Sequence, residues 1–259
     1  MPVVFGPSVS PRQMPNGLPA DMTDTRVVTA GVRFLTDAEC LDQLLPPDFT
    51  LAGEPVVSVE FMFLSNLEWL AGRGYSIVKV SYPARFEGRR DSATGPFLAV
   101  LWENRTDCCL TGREEVGYSK LYADIFPPAV DKGQHRYLAA VDGHPIVRMR
   151  ISDLTGKEPP AVAANDGVLH YYYVPKIGSP GEAAVEHAVI SPEVPDPPRI
   201  RGFSSGSGDV EFSHATFEQL PTQFMIVNAL ANLPQLEPRG AYVIEAEGGR
   251  TYVDQRALY

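Results

Sequence analysis

Glycine and proline interrupt this chain so often that long helices are excluded. Its 259 residues include 22 glycines and 24 prolines, and the prolines crowd into the first twenty positions and the 175–200 stretch. Proline ends a helix and glycine opens a turn, so the chain must fold as many short segments joined by turns. That pattern argues against a helical bundle or a coiled coil, and no internal period marks a repeat array.

Between the breaks the apolar residues fall at strand spacing. Arg26–Leu35, with Val27, Val28, Val32 and Phe34, reads as a strand. Thr36-Asp37-Ala38-Glu39 then reads as a capping box with Thr36 at the N-cap. It starts a helix carrying Cys40, Leu41, Leu44 and Leu45, which Pro46-Pro47 ends. Val56–Leu64, Tyr75–Phe86 and Pro96–Glu103 are predicted strands, followed by a short irregular or helical piece to Ile125. Further strands are expected at Ile146–Leu154, Leu169–Val174, Val185–Ser191, Asp209–Ser213 and Ala241–Ala246, with one later helix at Thr222–Leu233. Strands in succession, with helices near the start and end, predict a β-rich α+β fold: an antiparallel sheet wrapped into a barrel or cone with a few short helices. Residues 1–25 read as an extended, proline-rich arm and 26–259 as a single domain.

Charge narrows the function classes. The formal net charge is −10 and Arg89-Arg90 is an isolated basic pair, so no nucleic-acid surface is expected. No apolar run reaches the roughly 18 residues of a membrane span, and the N-terminus does not read as a signal peptide. Cys40, Cys108 and Cys109 make neither a disulfide framework nor a zinc spacing. These features predict a cytoplasmic protein.

Two familiar motifs fail on context. Gly202-Phe203-Ser204-Ser205-Gly206 matches a nucleophile elbow, but Pro197-Pro198 precede it and His214 is the one later histidine, so it reads as a flexible loop. The five histidines never pair at metal-binding intervals, and neither a metal nor another cofactor is expected. Leu169-His170-Tyr171-Tyr172-Tyr173 reads as a packed aromatic strand.

Arginine outnumbers lysine 17 to 5, so each lysine can be weighed on its own. Lys132, Lys157 and Lys176 sit in surface turns, and Lys79 lies within a strand. Lys120 differs, being set among Val116, Tyr118, Leu121 and Tyr122. Apolar surroundings penalise a charged amine, and a neutral amine is the form that attacks a ketone to make a Schiff base. The bland alternative is a lysine snorkelling to solvent.

Gly112-Arg113-Glu114 followed by Tyr118-Ser119-Lys120 resembles the acetoacetate decarboxylase signature, G-R-E-x-x-x-Y-P-K-K. Thr36-Asp37 with Leu44-Leu45-Pro46, Val57–Met62 with Glu60, and Tyr75…Pro83…Phe86-Glu87-Gly88 are similar to successive segments of that family. So are Tyr172-Tyr173-Val174-Pro175 with Ser179-Pro180, Gln219-Leu220-Pro221, and Pro238-Arg239. Together they cover roughly residues 26–246 in unbroken order. The resemblance implies a curved antiparallel β-barrel or cone around a pocket, with Lys120 as the Schiff-base nucleophile.

Departures from the family pattern shift the expected chemistry. Leu121 stands where the decarboxylases carry a second lysine, whose charge acidifies the first. Ile77 stands where they carry a glutamate, and the family arginine of the first strand falls near Arg26, one residue out of register. An iminium stabilises a carbanion made by loss of CO2 or by loss of a proton, and the superfamily contains aldolase-dehydratases that use the second route. The resemblance therefore implies a Schiff-base lyase that condenses pyruvate, or another 2-oxo acid, with an aldehyde and expels water. A β-keto acid decarboxylase and a non-catalytic ligand-binding protein are the alternatives. In this reading Arg26 or Arg113 pairs with the substrate carboxylate, although Arg113 and Glu114 would also serve merely to brace their loop. Glu60 is either a buried partner for an arginine or part of a solvent face. Glu103, Tyr82 and Tyr252 are the candidates for proton transfer. A homo-oligomer is expected from the family and from the N-terminal arm.

Overall fold

Apolar alternation becomes structure first in the strands around Lys120. The computed structural model describes residues 14–161, 164–194, 197–249 and 254–259. Its first half runs through β1 (Arg26–Leu35), α1 (Ala38–Asp42), β2 (Phe49–Leu51), β3 (Val56–Leu67), a 3₁₀ turn (Glu68–Leu70), β4 (Arg73–Glu87) and β5 (Ser92–Glu103). Helix α2 (Thr106–Thr111) continues into a π turn (Gly112–Val116), which leads to β6 (Lys120–Tyr122), β7 (Asp124–Ile125), β8 (Ala129–Asp131) and β9 (Gln134–Val141). The rest comprises β10 (His144–Gly156), β11 (Gly167–Pro175), β12 (Ala183–Pro192), β13 (Arg199–Phe212), α3 (Phe224–Ala231), β14 (Glu237–Glu247) and β15 (Arg256–Leu258).

All the strands join one sheet, in the order β15-β12-β11-β5-β4-β3-β1-β14-β13-β10-β9-β7, with β2, β6 and β8 pairing alongside. The pairing is antiparallel except where β5 meets β6 and β11. The sheet curves without closing, which makes it a cone rather than a sealed barrel. Period-two alternation divides its central strands into two faces. One carries Ala30, Val32, Phe61, Val78, Val80 and Trp102, all buried in the main core with Val227 and Leu230 of α3. The other carries Val27 and Thr29 of β1, Met62 and Leu64 of β3, Tyr75 and Ile77 of β4, and Leu101 and Glu103 of β5, in register with one another. That second face lines a cavity.

Several local expectations are corrected. Asp37, not Thr36, caps α1, and its carboxylate accepts from the Cys40 amide at 2.9 Å. Gly202–Gly206 is no loop: it lies inside β13 and pairs with β14 from Gly202 opposite Glu245 to Gly206 opposite Ala241. A Cβ at Gly206 would overlap the Ser152 carbonyl of β10, so this glycine permits close strand approach. Strand β9 lies in a stretch for which the sequence offered none, between Ile125 and Ile146. Ala20 and Met22, from the proline-rich arm, are buried against Leu67, Leu70 and Cys108.

Candidate active site

Lys120 reaches the cavity because β6 adds to β5 in parallel, setting Lys120 beside Leu101 and Tyr122 beside Glu103. Ser119 fixes that edge by donating to the Ala99 carbonyl at 2.9 Å, while the Leu101 amide donates to the Ser119 carbonyl at 3.1 Å. Alternation then turns Leu121 to the opposite side, where it packs on the main core. The residue replacing the family's second lysine therefore faces away from the cavity.

The amine is buried beside a carboxylate. Lys120 is 8% exposed and Glu103 is fully buried; Lys120 Nζ lies 2.7 Å from Glu103 Oε1. Nζ also donates to the Cys108 carbonyl at 3.3 Å and sits 5.8 Å from the Tyr118 ring centroid. Neither Glu103 oxygen receives a well-aligned hydrogen bond; the Lys120 contact is one of close charges. Burial pushes the Glu103 carboxyl above its ordinary range, and Lys120 opposes that shift without cancelling it. Burial likewise raises the thiol of Cys108, which lines the cavity.

Gly112 explains the first letter of the motif. A Cβ there would overlap Cε and Nζ of Lys120, so only glycine lets the π turn pass over the amine. A buried chain supports the same turn from behind. The His170 Nδ1–H donates to the Gly117 carbonyl at 3.0 Å, since a carbonyl only accepts. His170 Nε2 is then the acceptor for the Ser191 hydroxyl at 3.4 Å, and the Tyr118 hydroxyl donates to Ser191 Oγ at 2.9 Å. Burial lowers the His170 pKa to about 4, so the ring is neutral and the polarity of the chain is fixed.

The cavity has a volume of about 290 Å³. Lys120, Glu103, Thr111 and Cys108 form its buried end, and Thr25 and Thr111, whose buried hydroxyls have no hydrogen-bond partner, are among its lining residues. Half-buried Trp69, Tyr75, Gly248 and Gly249, with exposed Pro198, form the outer end.

Of the residues singled out by sequence, the structure brings Lys120 and Glu103 together and places others elsewhere. Arg26 is exposed, because Thr25, Val27 and Thr29 take the cavity face of the strand and leave Arg26 on the other. Arg113 is also exposed; its Nη1 donates to the Lys120 carbonyl at 3.0 Å, bracing the Lys120 backbone, and it does not line the cavity. Glu60 pairs with half-buried Lys79 and accepts from the Tyr242 hydroxyl, so its ion-pair partner is a lysine and not an arginine. Burial opposes ionisation of Glu60, but Lys79, Tyr242 and Arg33 together hold its pKa below the ordinary value. Tyr82 faces the main core and a separate groove beside α3, where its hydroxyl donates to the Leu44 carbonyl at 3.3 Å. It is not among the residues lining the Lys120 cavity. Tyr252 lies outside the described residues. Sequence reading missed Thr25, Thr111, Trp69 and the His170 chain: Thr111 closes α2 just before the motif, Trp69 sits in the 3₁₀ turn after β3, and Thr25 and His170 come from segments distant in sequence. Among the described residues, no helix is long and apolar enough to cross a membrane, and no group of three or more His, Cys, Asp or Glu side chains is placed to hold a metal.

Known proteins share this arrangement at the level of fold. No curated protein matches the chain in sequence. The enduracididine biosynthesis enzyme MppR complexed with pyruvate is 19% identical, with 97% of each chain covered and a TM-score of 0.67. The same enzyme complexed with the condensation product of pyruvate and imidazole 4-carboxaldehyde gives 18% identity, 96% and 95% coverage and a TM-score of 0.67. Acetoacetate decarboxylase from Legionella pneumophila is 16% identical, covering 91% of this chain and 87% of its own, with a TM-score of 0.68. The family profile described as Acetoacetate decarboxylase (ADC) matches residues 1–246. With the signature glycine passing over a buried lysine and the curved sheet shared across those structures, the chain belongs to the acetoacetate decarboxylase family, a family of lyases.

Proposed function

We propose that the protein is a Schiff-base lyase that condenses pyruvate with an aldehyde through Lys120 and then expels water. The observation that carries this reading is the buried contact between the Lys120 amine and Glu103, 2.7 Å apart, in a cavity walled mainly by apolar side chains. A carboxyl whose pKa is raised by burial is better suited to both giving and taking protons than one at its ordinary value.

In this mechanism Glu103 takes a proton from the Lys120 ammonium, and the freed lone pair attacks the C2 carbonyl of pyruvate. Protonated Glu103 returns its proton to the departing hydroxyl, so one water leaves and an iminium forms. Glu103 next removes a proton from C3, and the electrons move into an enamine. The enamine carbon attacks the aldehyde carbon, whose oxygen takes the proton back from Glu103. Loss of a second water and hydrolysis of the iminium release an unsaturated 2-oxo acid and restore the amine. One water is released overall for each pyruvate and aldehyde consumed.

Decarboxylation of a β-keto acid is the second reading. It is favoured by the apolar walls, which disfavour a substrate carboxylate relative to neutral CO2. Ile77, standing opposite Glu103 where the decarboxylases carry a glutamate, favours the condensation instead. Family habit supports a homo-oligomeric assembly. The continuous sheet from Arg26 to Leu258 supports one domain with an N-terminal arm; size-exclusion chromatography with light scattering tests the assembly. The reaction itself is tested with pyruvate plus benzaldehyde, following the conjugated product by absorbance, and with acetoacetate, following CO2. Condensation predicts product from the first mixture and little gas from the second. Gas without conjugated product would replace it by decarboxylation. Glu103→Gln should lower the condensation rate by about 10²–10⁴-fold.

A further inference from the structure

The walls between the reacting amine and the cavity mouth specify more than the reaction type. Met62, Leu64, Ile77 and Leu101 project from adjacent strands, and Trp69 meets Tyr75 edge-on with ring centroids 6.4 Å apart. These side chains belong to two small apolar clusters separate from the main core. Trp69, Tyr75, Met62 and Leu64 are only partly buried, so they present apolar surface that a ligand would cover. Among the described lining residues the charged groups are Lys120 and Glu103, which lie against each other at the buried end. A three-carbon keto acid bound at that end leaves most of the roughly 290 Å³ unfilled. Tails differ in what they gain from the remaining space: an alkyl or aryl tail is driven in by loss of hydrated surface, whereas a charged one loses solvation without a partner among the described lining residues.

We propose that this cavity selects a carbonyl compound with an uncharged alkyl or aryl tail, which lies along Met62, Leu64 and the Trp69–Tyr75 pair while the carbonyl carbon points to the buried end, where Lys120 or the enamine formed on it reacts. The inference rests on the Schiff-base reading for the carbonyl end and on the walls alone for the tail. In the condensation reaction the tail is that of the aldehyde; in a decarboxylation it is that of the keto acid. Either way the selectivity comes from the same side chains.

Two readouts separate the tail from the chemistry. In the first, 2-butanone, 2-hexanone and 2-octanone are trapped on the protein with borohydride, and half-saturation is read from adduct mass at increasing ketone concentration. In the second, the matching secondary alcohols, which cannot form an imine, are titrated against tryptophan fluorescence. Each added methylene should tighten half-saturation by about fourfold in both series. Levulinate, with a carboxylate on its tail, should bind at least tenfold more weakly than 2-hexanone. Leu64→Ser should flatten the ketone series.

A chain-length trend in the alcohols with no ketone adduct would leave the apolar tail site standing and overturn the Schiff-base chemistry. Ketone adducts with no trend in either series would do the reverse. Levulinate binding as well as 2-hexanone, or a trend unchanged in Leu64→Ser, would overturn the proposed tail site.

Discussion

Gly112 is the residue whose identity the site depends on most directly. Its Cα lies against the Lys120 side chain, and any Cβ there overlaps Cε and Nζ. Gly112→Ala should keep the fold and displace the amine, lowering Schiff-base trapping by at least tenfold while the circular dichroism spectrum stays unchanged. His170 makes a second prediction, this one about pH. Burial holds its pKa near 4 against 6.5 for the free residue, so the unfolded chain binds the extra proton first as the pH falls. Stability should therefore decline as pH drops from about 6.5 towards 4, by roughly 3 kcal/mol once both values are passed. His170→Gln should remove most of that slope in urea denaturation at pH 7 and pH 4.5; an unchanged slope would assign the acid sensitivity to other groups. Tyr82 offers the contrasting case. Its hydroxyl makes one long bond to the Leu44 carbonyl outside the cavity, so Tyr82→Phe should cost about 1 kcal/mol at most and leave turnover intact.

Elements hold the site by pairing, and Gln223 joins β5, β6 and α3. The Trp102 indole N–H donates to Gln223 Oε1 at 2.7 Å, and Gln223 Nε2 donates to the Tyr122 carbonyl at 3.3 Å. Gln223 thus ties the first turn of α3 to both strands that carry the reacting pair. Gln223→Ala leaves a buried donor and a carbonyl without partners and should cost about 1–3 kcal/mol in chemical denaturation. Strand boundaries were legible in the sequence wherever apolar alternation was clean, as in β1, β3 and β4. They were not legible in β13, whose Gly202–Gly206 segment carries loop composition yet pairs fully with β14. The composition there answers a packing demand, the approach of β10 to Gly206, that no local rule contains. Arg26 shows the opposite limit: a slip of one residue in register reverses the face of a strand.

Across the whole molecule, one sheet divides space into a sealed core and an open cavity. Strand succession made the sheet legible, and the Gly112–Lys120 motif made the buried lysine of the cavity legible. The partners of the amine were harder to foresee. Glu103 sits 17 residues before Lys120 in sequence, and only the parallel pairing of β6 with β5 brings them together. Thr25, Trp69 and Met62 join the cavity from still more distant segments. Leu121 was legible as a departure from the family pattern, but its position on the far face was not. The account turns on whether Lys120 forms a covalent imine, and borohydride reduction in the presence of pyruvate, read by intact mass and peptide mapping, tests this directly. A reduced pyruvyl adduct on the peptide containing Lys120, absent from Lys120→Ala, is the expected result. No adduct, or one that persists in Lys120→Ala, would contradict the assignment of Lys120 as the nucleophile.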